Sequence, residues 1–235
     1  MSVSGSKTQR ASTAPVKTTA ATTIFSAIRR DILSGVLVPG LRLRIEGLCK
    51  RFQATANPVR EALNRLAAEG LVDIKDQRGF WVASATLEDW HELVRTRCLV
   101  EACALREAMK NRDEAWEDGI VLTLHRLSRT ARFLEGEGPV PNPEWEKRHH
   151  AFHNALLQAC GAPTLLGFCE ELRERSDRYR HIASISPEAR KTYGNEHKLI
   201  AEAVLEGDAD LATQRLTEHY TRTLKVVEDY FSRDL

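Results

Sequence analysis

No stretch of the 235 residues approaches the roughly eighteen consecutive apolar side chains of a membrane span, so a membrane-spanning helix is excluded. The five cysteines, Cys49, Cys98, Cys103, Cys160 and Cys169, form no Cys-x-x-Cys pair. Their odd number, without a secretory signal, reads as reduced thiols in a cytoplasmic protein, serving as small apolar side chains. There is no His-Glu-x-x-His, no Gly-rich phosphate loop and no nucleophile elbow. Acidic residues are missing from the first 23 positions, "MSVSGSKTQRASTAPVKTTAATT". Rich in Ser, Thr and Ala and with three basic residues, this stretch buries too little to offset chain entropy, so residues 1–22 are expected to be a disordered tail. Net charge is also nearly missing, at +1. That balance conceals an asymmetry: residues 1–85 carry 13 Lys/Arg against 6 Asp/Glu, net +7, and the remainder 21 against 27, net −6. A basic front joined to an acidic rear points to a polyanion met by the front alone.

What is present in the front is a pattern of three short helices and a hairpin. Thr23 is placed to cap "IFSAIRRDILSG", which Gly35 ends. "VLVPG" reads as a turn and "IEGLCKRF" as a second helix. "TANPVREALNRLAAEG" is a third, with Thr55 as N-cap, a proline in its first turn, Gly70 as its stop, and Val59, Leu63 and Leu66 on one face. "LVDIKDQRGFWVA" reads as two strands around Gln77-Arg78-Gly79. This is the layout of a winged helix-turn-helix over residues 23–84, its third helix suited to the major groove of double-stranded DNA. Arg60, one turn in, and Asn57, nearer the tip, face base edges in this reading, with Thr55 at the cap. Arg78-Gly79 forms the wing tip, and Arg42, Arg44, Lys50 and Arg51 hold phosphates. The competing reading is a helix-plus-hairpin unit whose basic residues only solvate a face.

From Thr86 onward the pattern is helical throughout, with six helices and no strand signal. The fold class expected is mainly α: an N-terminal winged helix-turn-helix followed by an all-α six-helix bundle over residues 86–235, the two meeting near Ser84-Ala85.

The stretch "WEKRHHAFHNALLQAC" packs three histidines into five positions. At 100° per residue from Trp145, Phe152 and Leu156 fall within about 20°, His149 at about 40°, His153 at about 80° and His150 at about 140°. His149 and His153, four apart, converge just inside the bundle, which His150 reaches less easily. His197 lies among Tyr193, Ile200 and Val204, and His219 among Leu216, Thr223, Val226 and Tyr230. Three helices thus put imidazole where a hydrophobe is expected. A buried imidazole needs partners for its nitrogens, and a divalent metal, zinc or nickel, satisfies four such groups at once. The alternative is four core histidines held by ordinary hydrogen bonds. His91, His125 and His181 read as surface or rim residues.

The front resembles the DNA-binding domain of GntR-family bacterial transcription regulators. The resemblance is carried by Ile32, Gly35, Pro39 and Gly40, "PVREAL" (58–63), "EGLV" (69–72) and "RGFWV" (78–82). Ala56 stands where that family usually has Arg or a similar polar residue after the cap. Residues 88–230 are similar to the FCD effector-binding domain of the FadR-type branch. Its metal-binding members carry Asp-x-x-x-His, Glu-His and a final His, positions that here read His149 with His153, Glu196-His197, and His219. Its Arg-x-x-x-Glu matches Arg97 and Glu101. Histidine in place of the usual Asp gives four neutral ligands, and Ala162 replaces a common Asn. The resemblance implies a homodimer on a near-palindromic operator and a small carboxylate effector, held by the metal's uncompensated charge and by Arg97.

Two other classes compete with a ligand-responsive regulator, most often a repressor in this family. Glu146-x-x-His149 and Glu88-x-x-His91 fit the pattern of a di-iron helical bundle, but no further inward glutamate is evident. A helical domain that only dimerises is the other.

Overall fold

The computed structural model describes residues 19–134, 140–184 and 195–232. The expected tail, as far as residue 18, lies outside them, as do Tyr193 and the helix start expected at Ser186-Pro187. Helix α1 (Ala20–Leu33) opens earlier than expected: Thr19, not Thr23, is the cap, its hydroxyl accepting from Thr22 N–H. In a run of threonines several positions offer the same oxygen, and burial of Ala21 and Ile24 draws the earlier turn into the helix.

After a turn come β1 (Arg42–Leu43), α2 (Ile45–Phe52), α3 (Ala56–Ala68), β2 (Val72–Lys75) and β3 (Gly79–Val82). Thr55 is the N-cap of α3 by its extended backbone, without a side-chain capping bond. Gly70, at φ +68°, takes the left-handed position that ends the helix. The hairpin turns through Gln77 (φ 58°) and Gly79 (φ 90°). Strand β1 was not expected, because two residues show no alternation; it pairs with β3, Arg42 opposite Trp81, giving the antiparallel order β1-β3-β2. Ile28, Val59, Leu63 and Leu66, with no exposed surface, form the centre of this module's core.

Six α-helices follow among the described residues: α4 (Leu87–Lys110), α5 (Glu114–Ser128), α6 (Pro143–Leu157), α7 (Pro163–Ser184), α8 (Glu196–Glu206) and α9 (Ala209–Phe231). Side chains cap α4 (Thr86), α5 (Asp113), α6 (Asn142) and α9 (Asp208). A second apolar cluster, separate from the first, runs from Trp90 to Val227 through Leu105, Ile120, Phe152, Leu156, Ile200 and Leu216. Helix α4 packs on α6, α7 and α9, so it lies along the middle of the bundle.

Helix α7 also touches the front module. Arg29 of α1 pairs with Glu69 at 2.9 Å and with Glu174 of α7, while Arg178 of α7 donates to the Ala83 carbonyl. One helix therefore packs in the rear core and reaches both α1 and the segment that joins the two parts.

Leu63→Ala should cost about 2–5 kcal/mol, through lost burial and the cavity left in the front core. The urea midpoint read from front-module amide signals should fall while those of the helical bundle change little; equal loss in both parts would show one cooperative core instead.

Candidate metal centre and nucleic-acid interface

On the front module, the third helix and the hairpin leave their polar side chains in solvent. Thr55, Asn57 and Arg60 on α3 are exposed, as are Arg42, Arg44, Lys50, Arg78 and Gly79. Arg44 is the N-cap residue of α2. Lys50 forms an exposed pair with Glu46, worth little in water. Arg51 departs from the expected phosphate role: it is 2.5 Å from Asp31, a buried carboxylate that needs a partner, and so ties α2 to α1. Sequence reasoning missed Trp81, whose ring is flanked by Arg42 (5.8 Å) and Lys75 (4.9 Å). The antiparallel register places these cations on the strands either side of it.

In the rear, α6, α8 and α9 bring His149, His153, His197 and His219 together, with one ligand atom from each within 4.8 Å of the others. His149 and His153 meet Nε2 to Nε2 at 3.1 Å. His219 spends Nδ1 on Glu196 at 2.7 Å, which leaves Nε2 for the cluster. His197 Nε2 is buried with no hydrogen-bond partner. An orphaned imidazole nitrogen aimed at three others is costly unless something accepts its lone pair. A set of four neutral imidazoles suits zinc or nickel, and Glu196 stands behind His219 as a carboxylate that orients a ligating histidine would. The residues present therefore fit a divalent metal.

His150, the edge residue, stays out of this group and lies 2.7 Å from Asp177. A second possible grouping of Glu146, His149 and His150 is occupied by ion pairs: Arg180 holds Glu146 at 2.7 Å and Asp177 at 2.6 Å. Burial would raise the Asp177 carboxyl, but the Arg180 charge and the His150 contact outweigh it and hold it well below the usual range.

Arg97 is buried, not free. It donates to Glu101 at 2.7 Å and lies 4.1 Å over the Tyr220 ring; Tyr220 donates to the other oxygen of Glu101 at 2.5 Å. Arg97, Arg180, His149, His219, Tyr220 and Thr223 line a narrow cavity walled by Trp90 and Trp145, with room for about one water molecule. Glu101 and Glu196 are inward glutamates that periodicity did not reveal. Both are occupied, Glu101 by Arg97 and Tyr220, Glu196 by His219 and Arg222. The other Glu-x-x-His histidine, His91, is half exposed and pairs with Glu228 at 2.6 Å. A di-iron arrangement is not assembled among the described residues. Signals for the missed polar network existed in "RERSDRYR", whose spacing puts Arg173, Asp177 and Arg180 on one face of α7, but charge there read as solvated surface.

Burial, reinforced by Arg180 and the neighbouring rings, holds His149 and His197 well below the usual imidazole range. Burial and the neighbouring imidazoles do the same to His153, and burial lowers His219 despite Glu196.

Two family descriptions match the chain: "Bacterial regulatory proteins, gntR family" over residues 20–82 and "FCD domain" over residues 92–222. Among curated proteins, it is 34% identical over 211 residues to the HTH-type transcriptional regulator BphR of Paraburkholderia xenovorans (strain LB400), covering 88% of this chain and 84% of that one. It is 29% identical to the HTH-type transcriptional repressor GlaR of Escherichia coli (strain K12), covering 86% and 92%. Among solved structures, E. coli McbR/YncC shares the fold at a TM-score of 0.72 and 20% identity, covering 91% of this chain and 99% of that one. A GntR regulator from Rhodococcus sp. RHA1 does so at 0.67 and 20%, covering 89% and 97%.

The four depressed histidines fix a pH dependence for the metal-free protein. In the unfolded chain they protonate near pH 6.5; in the folded chain they resist. The metal-free fold therefore keeps its full stability above about pH 6.5 and loses it as pH falls below, by up to about 1.4 kcal/mol per group per pH unit. After chelation, the melting temperature should drop between pH 7.5 and 5.5, and a flat profile would show that the imidazoles are not buried neutral.

Proposed function

The chain belongs to the GntR family of bacterial regulatory proteins and carries an FCD domain, and from that premise we propose that this DNA-binding transcription regulator is a repressor controlled by a divalent metal and a small organic acid. The protein is a regulator and not an enzyme, as its family and relatives show. In this reading the winged module over residues 23–84 binds the operator, and residues 86–235 bind the effector and dimerise.

The observation that carries the sensing half is the convergence of four imidazoles, one with an orphaned buried nitrogen, beside a cavity that also holds two buried guanidinium groups. His149, His153, His197 and His219 would hold the metal. The ion, when bound, supplies a Lewis-acidic centre of +2 charge, and zinc or nickel suits the donor set. Arg97 supplies a fixed, always charged donor on the same cavity. Because Glu101 and Tyr220 hold it in place, it presents its free N–H groups without a large ordering cost. The cavity is too narrow for a carboxylic acid as it stands, so admission of an anion must move its walls. Among those walls are Arg180 of α7 and Trp90 of α4, and α7 also reaches the front module through Glu174 and Arg178. A displacement of α7 is therefore a route by which an effector changes the spacing of two DNA-binding modules in a homodimer.

On the DNA side, Arg60 and Asn57 reach base edges from α3. Arg78-Gly79 enters from the wing, and Arg42, Arg44 and Thr55 position the module on phosphates. That GlaR is named a repressor supports the sign.

Three experiments test the two halves separately. Arg60→Ala should weaken binding to the chain's own upstream DNA about 10–100-fold at fixed salt, with an unchanged melting temperature; unaltered affinity removes Arg60 from the interface. Protein purified without a histidine tag should contain stoichiometric zinc or nickel by elemental analysis, and His197→Ala should lose most of it while remaining folded. No metal in the parent protein overturns the metal centre. Arg97→Gln should retain the metal but lose the shift in melting temperature that millimolar carboxylic acids induce.

A further inference from the structure

The hydrogen bonds around His149 allow one neutral tautomer only. Its Nδ1 is 3.3 Å from Arg180 Nη1, and a guanidinium can donate but never accept. Nδ1 must therefore accept, which puts the His149 proton on Nε2. From there it is donated to His153 Nε2 at 3.1 Å. The His153 proton then sits on Nδ1, 3.2 Å from the Tyr220 oxygen, whose own proton goes to Glu101. The chain Arg180–His149–His153–Tyr220–Glu101 is consistent throughout in one direction, from a buried cation to a buried carboxylate.

A metal held by His149 and His153 needs a lone pair on Nε2 of each. His153 supplies one as it stands, since its proton is already on Nδ1. His149 does not: its proton must move to Nδ1, where it would face another N–H of Arg180. Two donors cannot share that contact. Arg180 is anchored independently, by Nη2 to Asp177 at 2.6 Å and to Glu146 at 2.7 Å, so Nη1 can leave His149 without the side chain leaving its place. The space open to Nη1 is the cavity it already lines with Arg97.

We propose that Arg180 is an exchange residue, donating to His149 when the metal is absent and to a carboxylate anion beside the metal when it is present. This deepens the metal-and-acid reading and rests on it. The exchange makes binding ordered: metal first, then carboxylate. It also places the change on α7, two residues from Arg178, the donor to the Ala83 carbonyl at the junction with the winged module.

The test begins with the full-length wild-type protein, uniformly ¹⁵N-labelled, by imidazole nitrogen–proton correlation. In the chelated protein His149 should be the Nε2–H tautomer; after addition of one equivalent of zinc it should be Nδ1–H. A metal-free protein with His149 as Nδ1–H overturns the proposal. The second measurement is zinc affinity by competition with a chromophoric chelator. Arg180→Gln offers an amide oxygen that accepts from Nδ1–H, so it should bind zinc about tenfold more tightly than wild type, and Arg180→Lys, which restores a donor, should return affinity to near the wild-type value. Weaker zinc binding by a folded Arg180→Gln protein overturns the exchange. Acetate should raise the melting temperature of the zinc-loaded wild type only, and not that of Arg180→Gln; equal response with and without zinc contradicts the order. Failure of every protein to bind zinc sinks the metal centre itself, whereas zinc binding that ignores Arg180 sinks only this inference.

Discussion

Burying four neutral imidazoles against guanidinium groups is the constraint around which the helical bundle is built. Arg97, Arg173 and Arg180 all lie inside, and none can shed its proton. Each must be matched by a carboxylate or an amide oxygen, and each is: Arg97 by Glu101, Arg173 by Glu170 and Asn154, Arg180 by Glu146 and Asp177. Burial above all, then the neighbouring imidazoles and guanidinium charges, holds the histidines uncharged, and uncharged imidazole is the only form that can give a lone pair to a metal. The guanidinium groups thus do more than satisfy their carboxylates: their charge adds to the burial that keeps the cluster neutral.

The same arrangement explains why histidine can occupy position 149. A carboxylate there would face the Arg180 guanidinium as one more buried charge, whereas the imidazole meets it through a neutral ring nitrogen at 3.3 Å. A salt bridge between fixed charges has one state, whereas a neutral imidazole has two tautomers, of which only the Nε2–H form can accept from Arg180 at Nδ1. The exchange proposed for Arg180 uses that difference: the second tautomer becomes available only when the donor turns away. Because Asp177 and Glu146 anchor Nη2, such an exchange would begin at one N–H group and the anion that meets it.

Much of this was legible in the sequence wherever the physics is local. The i, i+4 spacing of His149 and His153, and their angle to Trp145, placed both inside α6, where they are. The cap at Thr55, the stop at Gly70 and the turn at Gln77 follow from short-range chemistry and agree with the backbone. Less legible was anything decided between distant segments. Strand β1 exists only because Arg42 and Leu43 meet β3 across nearly forty residues. Asp31 claims Arg51, and Asp177 claims both His150 and Arg180, because burial leaves those carboxylates no water. On a helical wheel a charged stripe such as Arg173, Asp177 and Arg180 is indistinguishable from a solvated face; only the packing of α7 against α4 and α9 shows that it is internal.

That packing also decides how far a local event can travel. A side chain on a surface helix can change partners without consequence, since solvent absorbs the difference. Helix α7 has no such freedom along its inner face, where Leu172, Ser176 and Tyr179 are packed and Tyr179 stacks on Trp90 of α4 at 4.8 Å. Its contacts with the front module, Glu174 to Arg29 and Arg178 to Ala83, are polar and directional, and they end on α1 and on the segment joining the two cores. A dense core transmits displacement rather than absorbing it. In the proposed reading, widening the cavity to admit an anion would load both the Trp90–Tyr179 stack and the polar grip on the winged module, and the softest of these contacts is the partly exposed Arg29–Glu174 pair, since the Arg178–Ala83 bond is buried.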